Sequence, residues 1–229
     1  MVDIGSNDGI LLKPLKQLGV KAIGVEPSIN VSKIANDLGL ETITSFFNSQ
    51  AAEKIIKQYG KSDAVVASSI FTHLENPHQF IEDVKTLMAD DGEFIIEVEY
   101  IGNIIADIQF ERFYLDRIFY YSLTSLSELF AGHKMHIADV EKIEPHGGSL
   151  RVIVKKNNPN SIVSNAVQQI LKEEENTLNP PKLEEFRHTV NEYILAFKDK
   201  LQEYKDAGLR VAGYGAPARV ATICNYANI

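Results

Sequence analysis

Near the start of the chain, Asp3-Ile4-Gly5-Ser6-Asn7-Asp8-Gly9 sets an acid at the end of a short apolar run, with glycines two and six positions later. Glycine turns the main chain tightly and lets a ligand approach the backbone, so the spacing reads as a strand turning into a helix. A dinucleotide site asks for G-x-G-x-x-G, with a helix N-terminus beneath the pyrophosphate. Here Asn7 takes the place of the middle glycine and Asp3 lies within the strand end. That arrangement suits a cationic, phosphate-free ligand better than a pyrophosphate. Glu26 closes a second apolar run 17 residues after Gly9. In α/β nucleotide folds a carboxylate reaches a ribose at an interval of ~20 residues, and a carboxylate accepts both hydrogen bonds of a vicinal diol. Either feature alone is also what a plain strand end looks like. Together, at successive strand ends, they make a site.

The other residues able to do chemistry fall in loops. Ser68 and Ser69 end an apolar run that breaks into Ile70-Phe71-Thr72-His73-Leu74-Glu75-Asn76-Pro77. In open α/β sheets ligands sit beyond the carboxyl ends of the strands, which makes His73 a candidate. A histidine merely satisfied in its loop is the alternative. Residues 110–121 interleave aromatics with charges, Tyr114, Asp116 and Arg117 among them. Following a central strand, this segment is placed to roof a pocket, or simply to pack over the sheet edge. His146 lies in Glu144-Pro145-His146-Gly147-Gly148, and is expected to face the cleft. The two glycines also suit a plain sharp turn.

These residues need strands and helices in alternation to hold them. Residues 10–18 carry Leu11, Leu12, Leu15 and Leu18 on one helical face, stopped by Gly19. Residues 21–26 read as a strand, and Ser28 as the N-cap of the helix after it. A brief strand at 42–44 precedes an amphipathic helix at 49–59, closed by Gly60. Residues 63–69 are continuously apolar, as in a strand covered on both faces. A helix at 77–88, a turn at Asp90-Asp91-Gly92, a strand at 93–99, a capped helix at 122–130 and an antiparallel pair at 136–142 and 149–155 complete the first unit. The alternation predicts a doubly wound, mostly parallel α/β sheet.

Polar residues 155–161 mark a domain boundary, dividing 1–156 from 157–229. Beyond it, helices are expected at 166–178 and 183–207, the second with a charged, solvated face. Residues 209–218, ending in Gly213-Tyr214-Gly215-Ala216-Pro217-Ala218, read as strand, glycine turn and helix start. A lone βα unit cannot cover its own faces. Residues beyond about 207 are therefore expected to be mobile or to pair with a second copy.

Composition narrows the function. Hydrophobic content of 45 % with 24 % charged residues is that of a soluble globular protein, and no apolar run approaches the ~20 residues of a membrane span. A net charge of −8 argues against a nucleic-acid partner. The single cysteine, Cys224, excludes an intramolecular disulfide and, by itself, a zinc site, so a reducing, cytoplasmic setting is expected.

The Asp3–Gly9 turn resembles motif I of the class I S-adenosylmethionine (SAM) methyltransferases. Five blocks together resemble one family, the sugar C-methyltransferases acting on nucleotide-linked 4-keto deoxysugars: residues 2–9, Gly24-Val25-Glu26-Pro27, 110–123, His146-Gly147-Gly148-Ser149-Leu150-Arg151-Val152 and 213–218. The first two blocks are general to SAM enzymes and the last two are specific. The family also carries an N-terminal zinc-binding module and a fuller C-terminal domain, so by resemblance the chain is expected to be cut at both ends. The resemblance implies a class I, Rossmann-like methyltransferase fold with part of a second α/β domain. It implies Asp3, Gly5 and Asn7 around the methionine part of SAM, with Gly9 in the same turn. Glu26 falls on the ribose, followed by Pro27, with Ser68 and Ser69 nearby.

The family's chemistry is deprotonation beside a ketone, giving an enolate that attacks the methyl group; this needs a general base and donors for the enolate oxygen. The family draws these from a Tyr-His-Glu-His run and from a histidine after the fourth strand. Here the run is Tyr114-Leu115-Asp116-Arg117, with both histidines gone, while His73 matches the other. Arginine stays protonated and cannot be the base. His73 is expected to take the proton, with Tyr114 and His146 next and Asp116 weakened by pairing with an arginine; Arg117 is expected to bind an anionic acceptor or the enolate. A SAM-binding protein without turnover and an O- or N-methyltransferase are the alternatives.

Overall fold

The computed structural model describes residues 1–229. Seven strands form one sheet: β1 (Val2–Ile4), β2 (Ile23–Val25), β3 (Thr42–Ile43), β4 (Ser62–Ser68), β5 (Met88–Glu99), β6 (Met135–Ile143) and β7 (Ser149–Lys156). Their order is β3-β2-β1-β4-β5-β7-β6. The first five run parallel, and β7 is antiparallel to both of its neighbours. The expected doubly wound sheet with an antiparallel pair is what forms. Chain order reverses between β1 and β4, so their carboxyl ends open the crevice where such folds bind ligands.

Helices cover the sheet: α1 (Leu12–Gln17), α2 (Ile29–Asp37), α3 (Ser49–Tyr59), α4 (Pro77–Leu87), α5 (Ile101–Ala106) and α6 (Leu123–Gly132). Cap chemistry sets several boundaries. Asn48 accepts from the Ala51 N–H at 3.0 Å, and Asn76, before Pro77, accepts from the Gln79 N–H at 3.1 Å. Ser122 and Ser125 close a reciprocal capping box. Val65, Val66 and Ala67 are buried on both faces of β4. Phe71 is fully buried against Phe80, Phe94, Tyr121 and Phe130, with ring centroids 5.3–6.3 Å apart. It lies two residues before His73, so this packing fixes the loop that carries the histidine.

Several expectations need correcting. The first helix starts only at Leu12, and of its expected apolar face Leu12 is buried while Leu18 is exposed. Residues before Leu12 are spent on the turn. Ser28 sits at the N-cap of α2, yet its hydroxyl caps nothing. The turn at Asp90-Asp91-Gly92 is absorbed into β5, whose pairing with β4 jumps from Ser62↔Met88 to Ala64↔Glu93. It is a bulge within a strand rather than a break before one. Helix α5 was not foreseen, being six residues with no helical period to read.

Three helices follow the sheet: α7 (Asn165–Thr177), α8 (Pro180–Asp206) and α9 (Ala218–Ala227). Glu174 of α7 is buried and accepts from Leu123 N–H (2.6 Å), Thr124 N–H (2.8 Å) and the Thr124 hydroxyl (2.5 Å), riveting α7 to the start of α6. No strand forms at 209–212; the segment is exposed and no neighbouring strand accepts its hydrogen bonds. Helix α9 is nonetheless anchored along one side. Ala227 packs on Val190 and Ile194 of α8, and Tyr226 donates to Asn191 at 2.7 Å. Thr222 donates to the Phe113 carbonyl at 2.9 Å, tying α9 to the aromatic segment.

Candidate functional site

The first half of the site is the turn after β1. Gly5 and Gly9 take φ of 77° and 85°, and a Cβ at either would run into Ile70 or Leu40, so only glycine fits. Five successive N–H groups of the turn are already spoken for. Gly5 and Ser6 donate to the Val25 carbonyl, Asn7 to Glu26 Oε2 at 3.1 Å, Asp8 to Asn7 Oδ1 and Gly9 to the Ser6 carbonyl. Such a turn offers no cradle for phosphate. Glu26 is buried, its second oxygen accepting from the Ser28 N–H at 2.8 Å across Pro27. Each of its oxygens keeps a lone pair for a hydroxyl group.

Asp3 is 5 % exposed, and burial together with the charge of Glu26 pushes its pKa up to about 6. Two buried carboxylates beside a phosphate-blind turn favour a positively charged ligand carrying a diol. SAM, with its sulfonium, ammonium and ribose, is chemically of this kind, and the residues present fit it.

The second half gathers at the carboxyl ends of β4 and β5. Ser68 ends β4, and Ser69 follows with a φ of 58°. The Ser69 hydroxyl lies 3.4 Å from His146 Nε2, and His146 Nδ1 lies 4.0 Å from Glu99 Oε1. His146 itself has a φ of 57°. The next residue, Gly147, packs so close to Arg112 that a Cβ there would strike the guanidinium, so this glycine does more than turn the chain. Glu99, 5 % exposed at the end of β5, forms an ion pair with Arg117 and lies 3.7 Å from Arg112. The Tyr114 ring lies against the Arg117 guanidinium, 5.0 Å from centroid to Cζ.

His73 Nδ1 contacts the Asp116 main-chain carbonyl, with the Asp116 carboxylate 3.9 Å away. Donation from Nδ1 to that carbonyl leaves Nε2 as the free lone pair. Asp116 thus faces His73 and not an arginine, contrary to expectation; the arginine is drawn inward by the buried charge of Glu99.

The sequence reading missed Glu99, Arg112 and Tyr120. The Tyr120 hydroxyl donates to the Arg112 carbonyl at 2.8 Å and accepts from the Tyr114 N–H at 3.1 Å, folding the aromatic segment on itself. That segment and α9 enclose an open groove of about 1180 Å³, walled by Tyr114, Arg117 and Tyr120 on one side and Ala221, Thr222 and Tyr226 on the other.

Residues 1–133 match the family described as "Methyltransferase domain". The chain belongs to the methyltransferases. The family's cofactor is S-adenosyl-L-methionine. Residues 144–229 of this methyltransferase match a second family, described as "C-methyltransferase C-terminal domain". Among relatives, C-methyltransferase NovU of Streptomyces niveus is 31 % identical over 221 residues, covering 96 % of this chain and 53 % of NovU. The chain thus spans about half of that relative's length. A mitochondrial ubiquinone biosynthesis O-methyltransferase of Arabidopsis thaliana is 26 % identical over 98 residues, 42 % of this chain and 30 % of its own. Among solved structures, a SAM-dependent methyltransferase from Anabaena variabilis superposes with a TM-score of 0.53 at 14 % identity, covering 68 % of this chain and 76 % of its own. That likeness shows the class I fold.

Proposed function

We propose that the chain carries out SAM-dependent C-methylation of a nucleotide-linked keto-deoxysugar through an enolate, in a reducing, cytoplasmic setting. The observation that carries this reading is the imidazole of His146 set between Ser69 and the buried carboxylate of Glu99 at the carboxyl ends of β4 and β5. Deprotonation beside a ketone needs such a base, oriented and charge-balanced by an acid. In this reading Asp3, Gly5, Asn7 and Gly9 surround the methionine part of the cofactor. Glu26 binds the ribose, with Pro27 shaping the approach and Ser68 and Ser69 lining the far side. When bound, the cofactor supplies an electrophilic methyl group on sulfur. His146 Nε2 takes the carbon-bound proton, and Glu99 stabilises the imidazolium that results.

His73 is the second base candidate, because its contact with the Asp116 carbonyl leaves Nε2 free. Transfer to oxygen or nitrogen is the second reading of the reaction. It is favoured by the replacement of the resembled family's second histidine by Arg117, since positioning alone carries much of such a reaction. The test supplies SAM with an isotope-labelled methyl group and a panel of nucleotide-linked keto-deoxysugars. A label on carbon, seen by NMR, supports the first reading; a label on oxygen or nitrogen supports the second.

A further inference from the structure

Two guanidinium groups and one carboxylate are buried together at the end of β5. The side chains of Arg112 and Arg117 are 11 % and 10 % exposed, and between them stands Glu99 alone. The formal balance is one positive charge in excess. Other acids do not cancel it: Glu111 lies 3.7 Å from Arg219, and the Asp116 carboxylate is exposed and faces His73. His146 adds no negative charge.

Polar atoms on both sides are left over: Arg117 Nε and Nη1 and Arg112 Nε are buried with no hydrogen-bond partner, and so are both Glu99 carboxylate oxygens. Each buried donor left unpaired costs ~1–3 kcal/mol, and an unbalanced buried charge costs more. An entering oxyanion would neutralise the excess positive charge and accept from the free arginine donors. The Tyr114 ring holds the Arg117 guanidinium flat, which suits a two-pronged contact with such a group. Arg117 also lines the groove beneath α9, whose remaining walls are largely apolar and aromatic. That space suits a base and sugar attached to the anion.

We propose that Arg112 and Arg117 form a diphosphate-binding site for a nucleoside-diphosphate ligand, with Glu99 as its resident counter-ion. This deepens the proposed function and rests on it for the nucleoside; the cationic site itself rests on the side-chain arrangement. Glu99 keeps two like charges together until the ligand arrives, so it competes with the ligand for Arg117. Removing its charge tightens anion binding, which a purely structural role for Glu99 would not do.

The test is calorimetry on the intact chain, saturated with S-adenosylhomocysteine, with thymidine diphosphate, uridine diphosphate, thymidine and inorganic pyrophosphate as probes. The diphosphates should bind in a salt-sensitive way, pyrophosphate should compete with them, and thymidine should bind at least about tenfold more weakly. Arg117→Gln should weaken diphosphate binding about tenfold or more, about 1.4 kcal/mol, with Arg117→Lys between it and the unaltered chain. Glu99→Gln should tighten it, and unchanged or weaker binding there removes Glu99 as the counter-ion. Thymidine binding as well as its diphosphate, or unchanged affinity in folded Arg117→Gln and Arg117→Lys, overturns the site. Diphosphate binding without methyl transfer would leave this site standing and remove the proposed reaction. Methyl transfer with arginine-independent binding would do the reverse.

Discussion

Glu99 and Arg117 meet as a buried ion pair at the carboxyl end of β5. The guanidinium stands where the resembled sugar C-methyltransferases carry a histidine, so the position has exchanged a titratable base for a permanent charge. Removing one partner of a buried pair strands the other, at ~3–5 kcal/mol. Arg112, 3.7 Å from Glu99, softens that loss. Arg117→Ala should therefore fall near the low end of that range, and adding Glu99→Gln should recover a large part of it. Denaturant unfolding of the two single variants and the double variant measures the coupling; strict additivity would mean the pair contributes nothing.

If Asp3 borders the cofactor as proposed, SAM binding should depend on pH. Its pKa is raised to about 6 from 3.8, so the folded chain holds this proton more tightly than the unfolded one. The stabilising contribution is complete below about pH 4 and is lost as pH rises through about 6, amounting to about 3 kcal/mol. A cationic ligand beside Asp3 favours the ionised form. SAM affinity should thus rise between about pH 5 and pH 7, with proton release on binding. Asp3→Asn should stabilise the ligand-free chain at neutral pH while weakening SAM binding. Calorimetry in buffers of different ionisation enthalpy detects the released proton; pH-independent binding without proton release speaks against Asp3 as a cofactor residue.

Glu26 should decide which cofactor binds. Glu26→Gln removes the charge that two ribose hydroxyls would meet, and SAM binding should weaken by ~1.5–3 kcal/mol. NAD should not bind at comparable concentration, because the N–H groups of the turn are already used internally. Preference for NAD in a titration would sink the cofactor assignment.

Glu174 should matter for stability alone. Its carboxylate accepts three hydrogen bonds at the start of α6 from a buried position. Glu174→Ala leaves two main-chain donors unpaired and should cost ~2–4 kcal/mol. SAM affinity, measured well below the melting temperature, should not move; a large loss of binding would mean that α7 and the cofactor site are coupled.

The fold was legible where the pattern is local. Asn48 and Gly60 bracket α3 at the residues that the periodicity marks, and the spacing of Asp3 in β1 and Glu26 just after β2 singled out the two acids that the fold buries close to one turn. What stayed hidden depends on distant partners. Glu99 looks like any acid at a strand end; it is buried only because Arg112 and Arg117 fold back over it from 13 and 18 residues away. Asp116 beside Arg117 in sequence suggested a pair, but consecutive residues point apart and each found another partner. Residues 209–212 have the composition of a strand, yet a strand is made by its neighbours. His73 and His146 lie in loops at the carboxyl ends of the strands, but the carboxylate behind His146 could not be read from the sequence.

The proposed removal of a carbon-bound proton by His146 can be measured without any methyl transfer. The chain, loaded with S-adenosylhomocysteine in heavy water, is mixed with a nucleotide-linked keto-deoxysugar, and NMR follows exchange of the hydrogen beside the ketone for deuterium. The unaltered chain and His73→Gln should both exchange it, Glu99→Gln should do so more slowly, and His146→Gln should lose ~10²–10⁴ in rate. Undiminished exchange in His146→Gln, or no exchange in a chain that places the methyl group on oxygen, would contradict it.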